Sequence, residues 1–262
     1  MKFTMDTLIY NNGLRHISPL WRSGFAAVLL LLSILSHPIV QVAIFTWMMI
    51  WTLWYARIPW KPYFLLLGTS LLFFIMSLPA LLFEVEHTLQ PGRDSLFSFH
   101  LFQWTFYVTQ TGLTLAYSLF FRSLSSLSCL FFILFTIPFL EVLQVMKKLR
   151  LPQIMIELSL VMYRFIFLLI DTAFGMLVAQ QARGGHGSFS QKMRDSALLL
   201  GHLFAHTMQR YKGLTHGLIS RGLSEEILLP PMENKGISLR FQIESVVGCC
   251  LLLLFEGWVR VG

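Results

Sequence analysis

Charged residues are scarce in this chain of 262 residues, and their scarcity excludes an ordinary soluble domain. Only 13% of the residues are Asp, Glu, Lys or Arg, against about 25% in soluble globular proteins, whereas 55% are apolar. Acidic residues are the rarer sign, with 13 Asp and Glu against 20 Lys and Arg. This composition predicts a polytopic membrane protein in which the position of the positive charges sets the topology.

Cysteine and several functional motifs are lacking as well. The three cysteines, Cys129, Cys249 and Cys250, lie in apolar runs, and neighbouring residues cannot form an ordinary disulfide or a metal site by spacing. The chain has no Gly-x-x-x-x-Gly-Lys loop, so we do not expect it to hydrolyse ATP itself. Basic clusters interleaved with stacking aromatics are missing, which argues against nucleic-acid binding. The polar N-terminus up to Pro19 is unlike a cleavable signal peptide.

Long apolar runs in the sequence indicate the fold class. Residues 25–56 carry no charge, and this run is too long for one membrane span of about 20 residues and short for two. A break at His37-Pro38 predicts two short, tilted spans joined by a hairpin. Further spans are expected at 62–83, at 106–136 after a re-entrant or interfacial piece at 96–104, and at 237–259. The prediction is an all-α membrane protein with about five transmembrane helices.

The charged residues predict the orientation in the lipid bilayer. Three acidic residues against one arginine at 84–94 favour the outer side for that loop. Residues 141–240 hold twelve of the twenty Lys and Arg, which predicts a cytoplasmic location for this block and for the N-terminus.

Within the basic block, two segments of helix length end in a basic residue followed by glycine. The first can begin with Pro152 at its first position and continue for about 30 residues, or about 45 Å. The second follows a possible capping box at Ser188–Gln191. The two endings, 38 residues apart, are Ala182-Arg183-Gly184 and Ser220-Arg221-Gly222.

The two endings predict a pair of basic helix tips. Glycine tolerates the left-handed conformation of a helix C-terminus, and arginine complements the negative end of the dipole. Two such tips side by side predict a plug for an acidic socket on a partner. An isolated occurrence would be an ordinary helix cap.

Each segment also carries an apolar stripe at helical spacing. If the helices crossed face to face, they would bury both stripes. The residues of the stripes are Leu151, Ile154, Met155, Leu158, Met162, Phe165, Leu169 and Met176 in the first segment and Met193, Ala197, Leu200, Phe204, Met208, Tyr211, Thr215 and Leu218 in the second.

Charged residues recur every seven positions on another face of the first segment, at Glu157, Arg164 and Asp171. They predict either a solvated face of alternating sign or an internal polar ladder that fixes the crossing of the helices.

These segments carry a family resemblance. Residues 151–158 (Leu-Pro-Gln-Ile-Met-Ile-Glu-Leu), 162–171 (Met-Tyr-Arg-Phe-Ile-Phe-Leu-Leu-Ile-Asp) and 182–184 resemble the cytoplasmic coupling region of the T component of energy-coupling factor (ECF) transporters, most nearly the cobalt-type CbiQ branch. The resemblance implies three regions: an N-terminal arm with four transmembrane helices at 1–136, a coupling region at 137–236 and a C-terminal transmembrane helix at 237–262.

The resemblance also implies partners and a location. The two signatures would dock into a pair of ABC-type ATPase subunits that bind ATP, with support from Pro152, Glu157, Arg164 and Asp171. A separate membrane-embedded S component would capture the substrate, Co²⁺ or Ni²⁺, in the cell (inner) membrane of a prokaryote. The chain itself would be a non-catalytic scaffold with no cofactor or metal of its own. Ser220 and Thr172 depart from the usual pattern, which leaves a vitamin-type T component open.

Other readings start from polar residues outside the signatures. Arg122, inside an expected span, indicates either a polar contact with a neighbour or snorkelling toward the interface. His202 and His206 share a helix face, but they lack the glutamate of a zinc protease motif and an obvious third ligand. An intramembrane enzyme using Arg122 and His100 would need a nucleophile and base, or two acids, in the spans, and we find neither. A permease that carries solute itself would need a polar site shared by several spans.

Overall fold

The computed structural model describes residues 9, 12–86, 95–101, 104–182, 188–220, 222 and 239–261. The chain forms two compact units, Met1–Val142 with Glu233–Gly262, and Leu143–Met232. Helices dominate both units. They are α1 (Pro19–Leu35), α2 (Pro38–Ile50), α3 (Trp60–Leu82), α4 (Gln110–Thr136), α5 (Phe139–Lys148), α6 (Gln153–Ala182), α7 (Phe189–Ser220) and α8 (Leu239–Val261).

Among the described residues, five helical segments are long and apolar enough to cross a membrane. They are Pro38–Tyr55, Trp60–Leu82, Gly112–Thr136, Gln153–Ala182 and Phe241–Arg260. The prediction of an all-α membrane protein with about five such helices is therefore confirmed, although the set differs from the predicted one. Helix α1 is apolar but only 17 residues long, and α6, which we expected in the coupling region, meets the criteria of length and composition.

The predicted break at His37-Pro38 is present. Helix α1 ends at Leu35 and α2 begins at Pro38, whose missing N–H costs nothing at the first helical position. Helix α2 continues into a π-helical turn at Trp51–Tyr55. The two helices therefore form the expected hairpin of short apolar helices.

A small antiparallel sheet, which the sequence analysis did not predict, lies between α3 and α4. Its strands β1 (Phe83–Glu86), β2 (Ser95–Leu101) and β3 (Trp104–Thr109) are ordered β1-β3-β2. The re-entrant or interfacial piece expected at 96–104 is thus mostly strand, and the helix expected from 106 begins at Gln110. The β-branched and aromatic residues of β3 favour a strand over a helix.

The core of the first unit forms where α1, α2 and α4 pack together. Phe25 of α1 contacts Trp51 and Phe132, with ring centroids 4.9 and 5.9 Å apart. Buried polar side chains are paired across the helices. The hydroxyl oxygens of Ser33 and Ser125 are 2.5 Å apart. Because apolar side chains gain little by leaving lipid, such packing and hydrogen bonds determine which helices meet.

Helix α8 joins this core through a close approach at Gly248. A Cβ atom at Gly248 would lie 2.5 Å from Cζ2 of Trp47 in α2, a distance that requires a shift of the indole or of the helix. The lack of a side chain therefore allows α8 to pack against α2.

Replacing Gly248 should consequently loosen α8. We expect Gly248→Ala to destabilise the protein by about 1–3 kcal/mol through overpacking. A thermal unfolding assay in detergent would measure this as a lower Tm. The matched control is Gly257→Ala in the same helix, where a Cβ meets nothing within 4 Å. Equal Tm values for the two variants would contradict the assignment of Gly248 to a tight helix contact.

Candidate functional site

The two helices that carry the signature endings, α6 and α7, form an antiparallel hairpin. Near the connecting turn, Gln180 Nε2 of α6 donates to the carbonyl of Asp195 in α7 at 3.1 Å. Farther along, a cavity of about 200 Å³ lies between the helices and is lined by Arg164, Phe165, Leu168, Arg210 and Leu214. Descending residue numbers on α6 match ascending numbers on α7, so the helices run side by side in opposite directions.

Antiparallel packing places the two signature endings at opposite ends of the hairpin. Ala182 ends α6 beside the connecting turn, whereas Ser220 ends α7 at the far end. From Asp195 to Ser220 the helix extends by about 38 Å at 1.5 Å per residue. The expectation that the two tips lie side by side is therefore wrong. The hairpin has two separate basic ends.

The second signature has the helix-ending geometry that its glycine predicts. Gly222 has a φ of 72° and donates its N–H to the carbonyl of Ile219 at 3.0 Å, directly after α7 ends. The hydroxyl of Ser220 donates to the carbonyl of His216 at 2.8 Å. The prediction of a left-handed glycine is confirmed here, so a larger residue at Gly222 would strain the backbone.

The first signature is described only as far as its helix. Helix α6 ends at Ala182, as predicted, and Ala182 is exposed, as is Ser220. Arg183, Gly184 and Arg221 lie outside the described residues.

The starts of both helices also follow the sequence. The carbonyl of Pro152 accepts the N–H of Met155 at 3.0 Å, so Pro152 directly precedes α6 and is not its first helical residue. Before α7, the N–H of Ser188 donates to Oε1 of Gln191 at 3.0 Å, which is one half of the predicted capping box. Local capping thus fixes where each helix begins.

The three charged residues of α6 do not form a ladder. Glu157 accepts a hydrogen bond from Gln153 Nε2 at 2.9 Å, while Arg164 and Asp171 are exposed. None of the ion pairs between described residues joins any two of these three side chains. The arrangement corresponds to the solvated face, and the internal polar ladder is not formed in the described part of the hairpin.

Much of each apolar stripe is exposed where we expected burial. Ile154 is 76% exposed and Leu158 61%, and on α7 Leu200 is 64% and Phe204 66% exposed. Phe165 of the first stripe is half-buried and lines the cavity between the helices. The expectation that the stripes bury each other along their length is therefore wrong, and their exposed residues remain available to lipid or protein.

The two histidines of α7 do not lie in a cluster of metal ligands. His202 is exposed, and Nε2 of His206 accepts a hydrogen bond from Arg210 Nε at 3.4 Å. Among the described residues, His, Cys, Asp and Glu side chains form no group of three or more that could hold a metal ion.

In the first unit, a buried ion pair that the sequence analysis missed lies at the bend between α4 and α5. We call residues 136–139 the elbow. Arg22 of α1 donates to the carbonyl of Thr136 and to the carboxylate of Glu141. Its side chain is 2% exposed and that of Glu141 is 12% exposed. Asn12 Nδ2 also donates to the carbonyl of Thr136, at 2.9 Å.

The contacts of Arg22 and Asn12 at the elbow supply hydrogen-bond donors to the backbone carbonyl at the end of α4. The last carbonyls of a helix lack partners within it, and here Arg22 and Asn12 supply the donors. Arg22 itself lies within α1 and is buried. The distance of 119 positions between Arg22 and Glu141 explains why no local pattern reveals the pair.

Comparison with known sequences assigns the family. The family described as CbiQ, cobalt transport protein, matches residues 11–228. An uncharacterized protein of Methanocaldococcus jannaschii is 30% identical over 89% of this chain and 85% of its own length. The cobalt transport protein CbiQ of Salmonella typhimurium is 32% identical over 41% of this chain and 48% of its own. A putative fused cobalt transport protein CbiMQ of Methanocorpusculum labreanum is 30% identical over 55% of this chain and 24% of its own. This multi-pass membrane protein therefore belongs to the CbiQ family of cobalt transport proteins.

Proposed function

We propose that the chain is the T component of an ECF-type importer, a non-catalytic scaffold that passes ATP-driven motion from two ABC-type ATPase subunits to a membrane-embedded S component. The transported substrate is Co²⁺ or Ni²⁺. The observation that carries the proposal is the α6–α7 hairpin, which presents its two signature endings about 38 Å apart. Family membership supports the assignment to cobalt transport.

The two separate ends of the α6–α7 hairpin match the two ATPase subunits of the proposed complex. Arg183 and Arg221 follow the last helical residues, and each guanidinium can form a bidentate pair with a carboxylate. One ATPase subunit grips each end. When the two subunits close on ATP, the ends are displaced and a stiff helical hairpin transmits that displacement as a rotation or tilt.

Helix α6 lies along the membrane surface in this proposal, although its length and hydropathy would allow it to span. A spanning α6 would place Arg164 and Asp171 near the middle of the hydrocarbon, where single charges are costly. In a surface orientation these exposed charges face water, and the exposed stripe with Ile154 and Leu158 faces lipid or the S component. The basic block and the N-terminus are cytoplasmic, in the cell (inner) membrane.

The elbow is the joint through which the first unit receives this motion. Arg22 holds the end of α4 and the first turn of α5 at once, and the chain enters the second unit within α5. Buried Arg22 Nε and Asn12 Oδ1 have no partner among the described residues. Their spare hydrogen-bonding capacity allows a second arrangement of the joint.

Charge reversal at the two ends tests the assignment of one motor to each end. In nucleotide-free complexes, Arg183→Glu alone and Arg221→Glu alone should each lose one ATPase subunit, and the double variant should lose both. Each charge-assisted hydrogen bond is worth about 1.5–3 kcal/mol, so binding at that end should weaken at least tenfold. Native mass spectrometry of the purified complexes would report the stoichiometry, and metal uptake by cells should be abolished in the double variant.

The control for this experiment is Lys212→Glu, which reverses an exposed charge on α7 away from its end. This variant should keep two ATPase subunits. Full ATPase retention in the double variant would refute the proposed function.

Apolar replacement of the Arg22–Glu141 ion pair separates the proposed role of the pair in transmitting motion from its role in stabilising the fold. Arg22→Ala should destabilise the protein by about 3–5 kcal/mol, because it removes the positive charge that compensates the largely buried carboxylate of Glu141. The combined variant Arg22→Met with Glu141→Leu should restore the Tm, since apolar pairs often replace buried ion pairs without loss of stability. We expect this variant to hydrolyse ATP in the complex yet to import metal at least tenfold more slowly.

Arg15→Ala, at an exposed site in the same region, is the control. Normal uptake by the combined variant would show that the elbow is only structural.

A further inference from the structure

The cavity between α6 and α7 is lined by one arginine from each helix. Arg164 of α6 and Arg210 of α7 share a space of about 200 Å³ with three apolar side chains, Phe165, Leu168 and Leu214. We call this space the arginine cavity. Both helices belong to the second unit, so the cavity is formed within one compact part of the chain. Both arginines lie well inside their helices, so neither side chain serves as a helix cap.

The register of the hairpin brings the two arginines to the same level. The contact of Gln180 with Asp195 aligns descending positions on α6 with ascending positions on α7. In that register Arg164 lies opposite position 211, one residue from Arg210, and one residue corresponds to about 1.5 Å along a helix. The two guanidinium groups therefore line one space from opposite walls.

The arginine cavity has two positive charges and no negative charge among the described side chains that line it. The ion pairs between described residues involve neither arginine. The acidic residues of α6, Glu157 and Asp171, lie seven positions to either side of Arg164, or about 10 Å along the axis, and Asp195 of α7 is 15 positions from Arg210. Two like charges that line one space without a counter-ion repel each other. The arrangement therefore favours an anion that neither helix supplies.

Both guanidinium groups have donors for an oxyanion. Nε of Arg210 donates to Nε2 of His206 at 3.4 Å, a long hydrogen bond within α7. This bond uses one of the five N–H groups of Arg210, so the edge formed by the two terminal nitrogens can bind a ligand. Arg164 is exposed, and no described carboxylate forms an ion pair with it. Each planar guanidinium can bind two oxygen atoms of one anion.

The apolar walls and the size of the arginine cavity suit a small anion. Phe165, Leu168 and Leu214 are half-buried where the helices meet. Apolar side chains limit the access of water, and opposite charges attract more strongly where water is limited. The volume of about 200 Å³ is several times the roughly 30 Å³ that one water molecule occupies in the liquid. A tetrahedral oxyanion therefore fits together with ordered water.

We propose that the arginine cavity binds a phosphate group, with the guanidinium of Arg164 and the terminal nitrogens of Arg210 donating to different oxygens of the same group. A phosphate monoester or free phosphate has at least three acceptor oxygens and carries about −1.5 to −2 charges near pH 7. It pairs with both guanidinium groups and balances both charges, whereas a carboxylate has two oxygens and balances only one.

A bound phosphate group would connect α6 to α7 near the middle of the hairpin. It would also remove the repulsion between Arg164 and Arg210, so we expect it to stabilise the pairing of the helices. The phosphate group comes either as the free ion or as the headgroup of a lipid with a terminal phosphate, such as phosphatidic acid.

Binding of phosphate by the purified full-length protein tests this inference, with one arm for each source. Equilibrium dialysis in detergent, with radiolabelled inorganic phosphate and the ionic strength held constant with chloride, measures the free ion. Native mass spectrometry of the protein released from phosphatidylcholine nanodiscs, with or without phosphatidic acid, measures the lipid. We expect one phosphate group per chain in at least one arm, and that arm identifies the source. The bound group should also raise the Tm.

Substitutions in the arginine cavity show whether the phosphate group binds there. Arg164→Gln and Arg210→Gln should each weaken binding at least tenfold, because each removes charge-assisted hydrogen bonds. Arg210→Lys keeps the charge but loses the planar fork, so its affinity should lie between those of the wild type and Arg210→Gln. Without phosphate, both Gln variants should keep the Tm of the wild type or exceed it, since one of two repelling charges is gone. That result separates loss of binding from loss of folding.

The matched control is Lys212→Gln. Lys212 is an exposed cation two positions from Arg210, which at 3.6 residues per turn lies on the other side of α7 and does not line the arginine cavity. This variant should bind phosphate like the wild type. Absence of binding in both arms, or equal affinities of Lys212→Gln and the two arginine variants, would overturn the inference. Neither arm uses a partner subunit, so the result is independent of the proposed function.

Discussion

The buried contact of Arg22 with Thr136 and Glu141 is the interaction on which the first unit depends. A helix that ends in or near a membrane must satisfy its last carbonyls without relying on water, and Arg22 and Asn12 do so at the end of α4. The same guanidinium fixes the first turn of α5. Helix α1 thus meets α4 and α5 at one side chain, although Thr136 and Glu141 lie 114 and 119 positions from Arg22 in the sequence. Loss of that side chain would remove the cationic partner of Glu141 and one of the two donors to the carbonyl of Thr136.

The antiparallel packing of α6 and α7 determines where the two signature endings lie. Because the helices are antiparallel, similar local sequences that both end helices lie at opposite ends of one hairpin. The local geometry at Gly222 depends on the residues beside it, whereas the separation of the two ends depends on helix length and direction. The two ends are therefore farther apart the longer the helices are.

Sequence patterns predicted the features that depend on neighbouring residues. The end of α6 at Ala182, the left-handed Gly222 after α7, the hairpin break at His37-Pro38 and one half of the capping box at Ser188 follow from local backbone chemistry, and they were predicted correctly. The direction of helix packing, the Arg22–Glu141 pair and the exposed stripes depend on contacts between distant residues, which a periodic pattern does not specify. The β3 strand was missed because the expected span was extended back to residue 106, although the β-branched and aromatic residues of β3 favour a strand.

The short α1–α2 hairpin has a consequence for the lipid around it. Helix α1 covers about 26 Å, less than the roughly 30 Å of a typical hydrocarbon core, while α3 and α4 extend farther. Acyl chains beside the hairpin must compress or tilt to cover its tip, and this mismatch stores elastic energy in the bilayer. Any protein segment that filled the uncovered thickness would release that energy, so deformation of the membrane favours association on this side of the bundle.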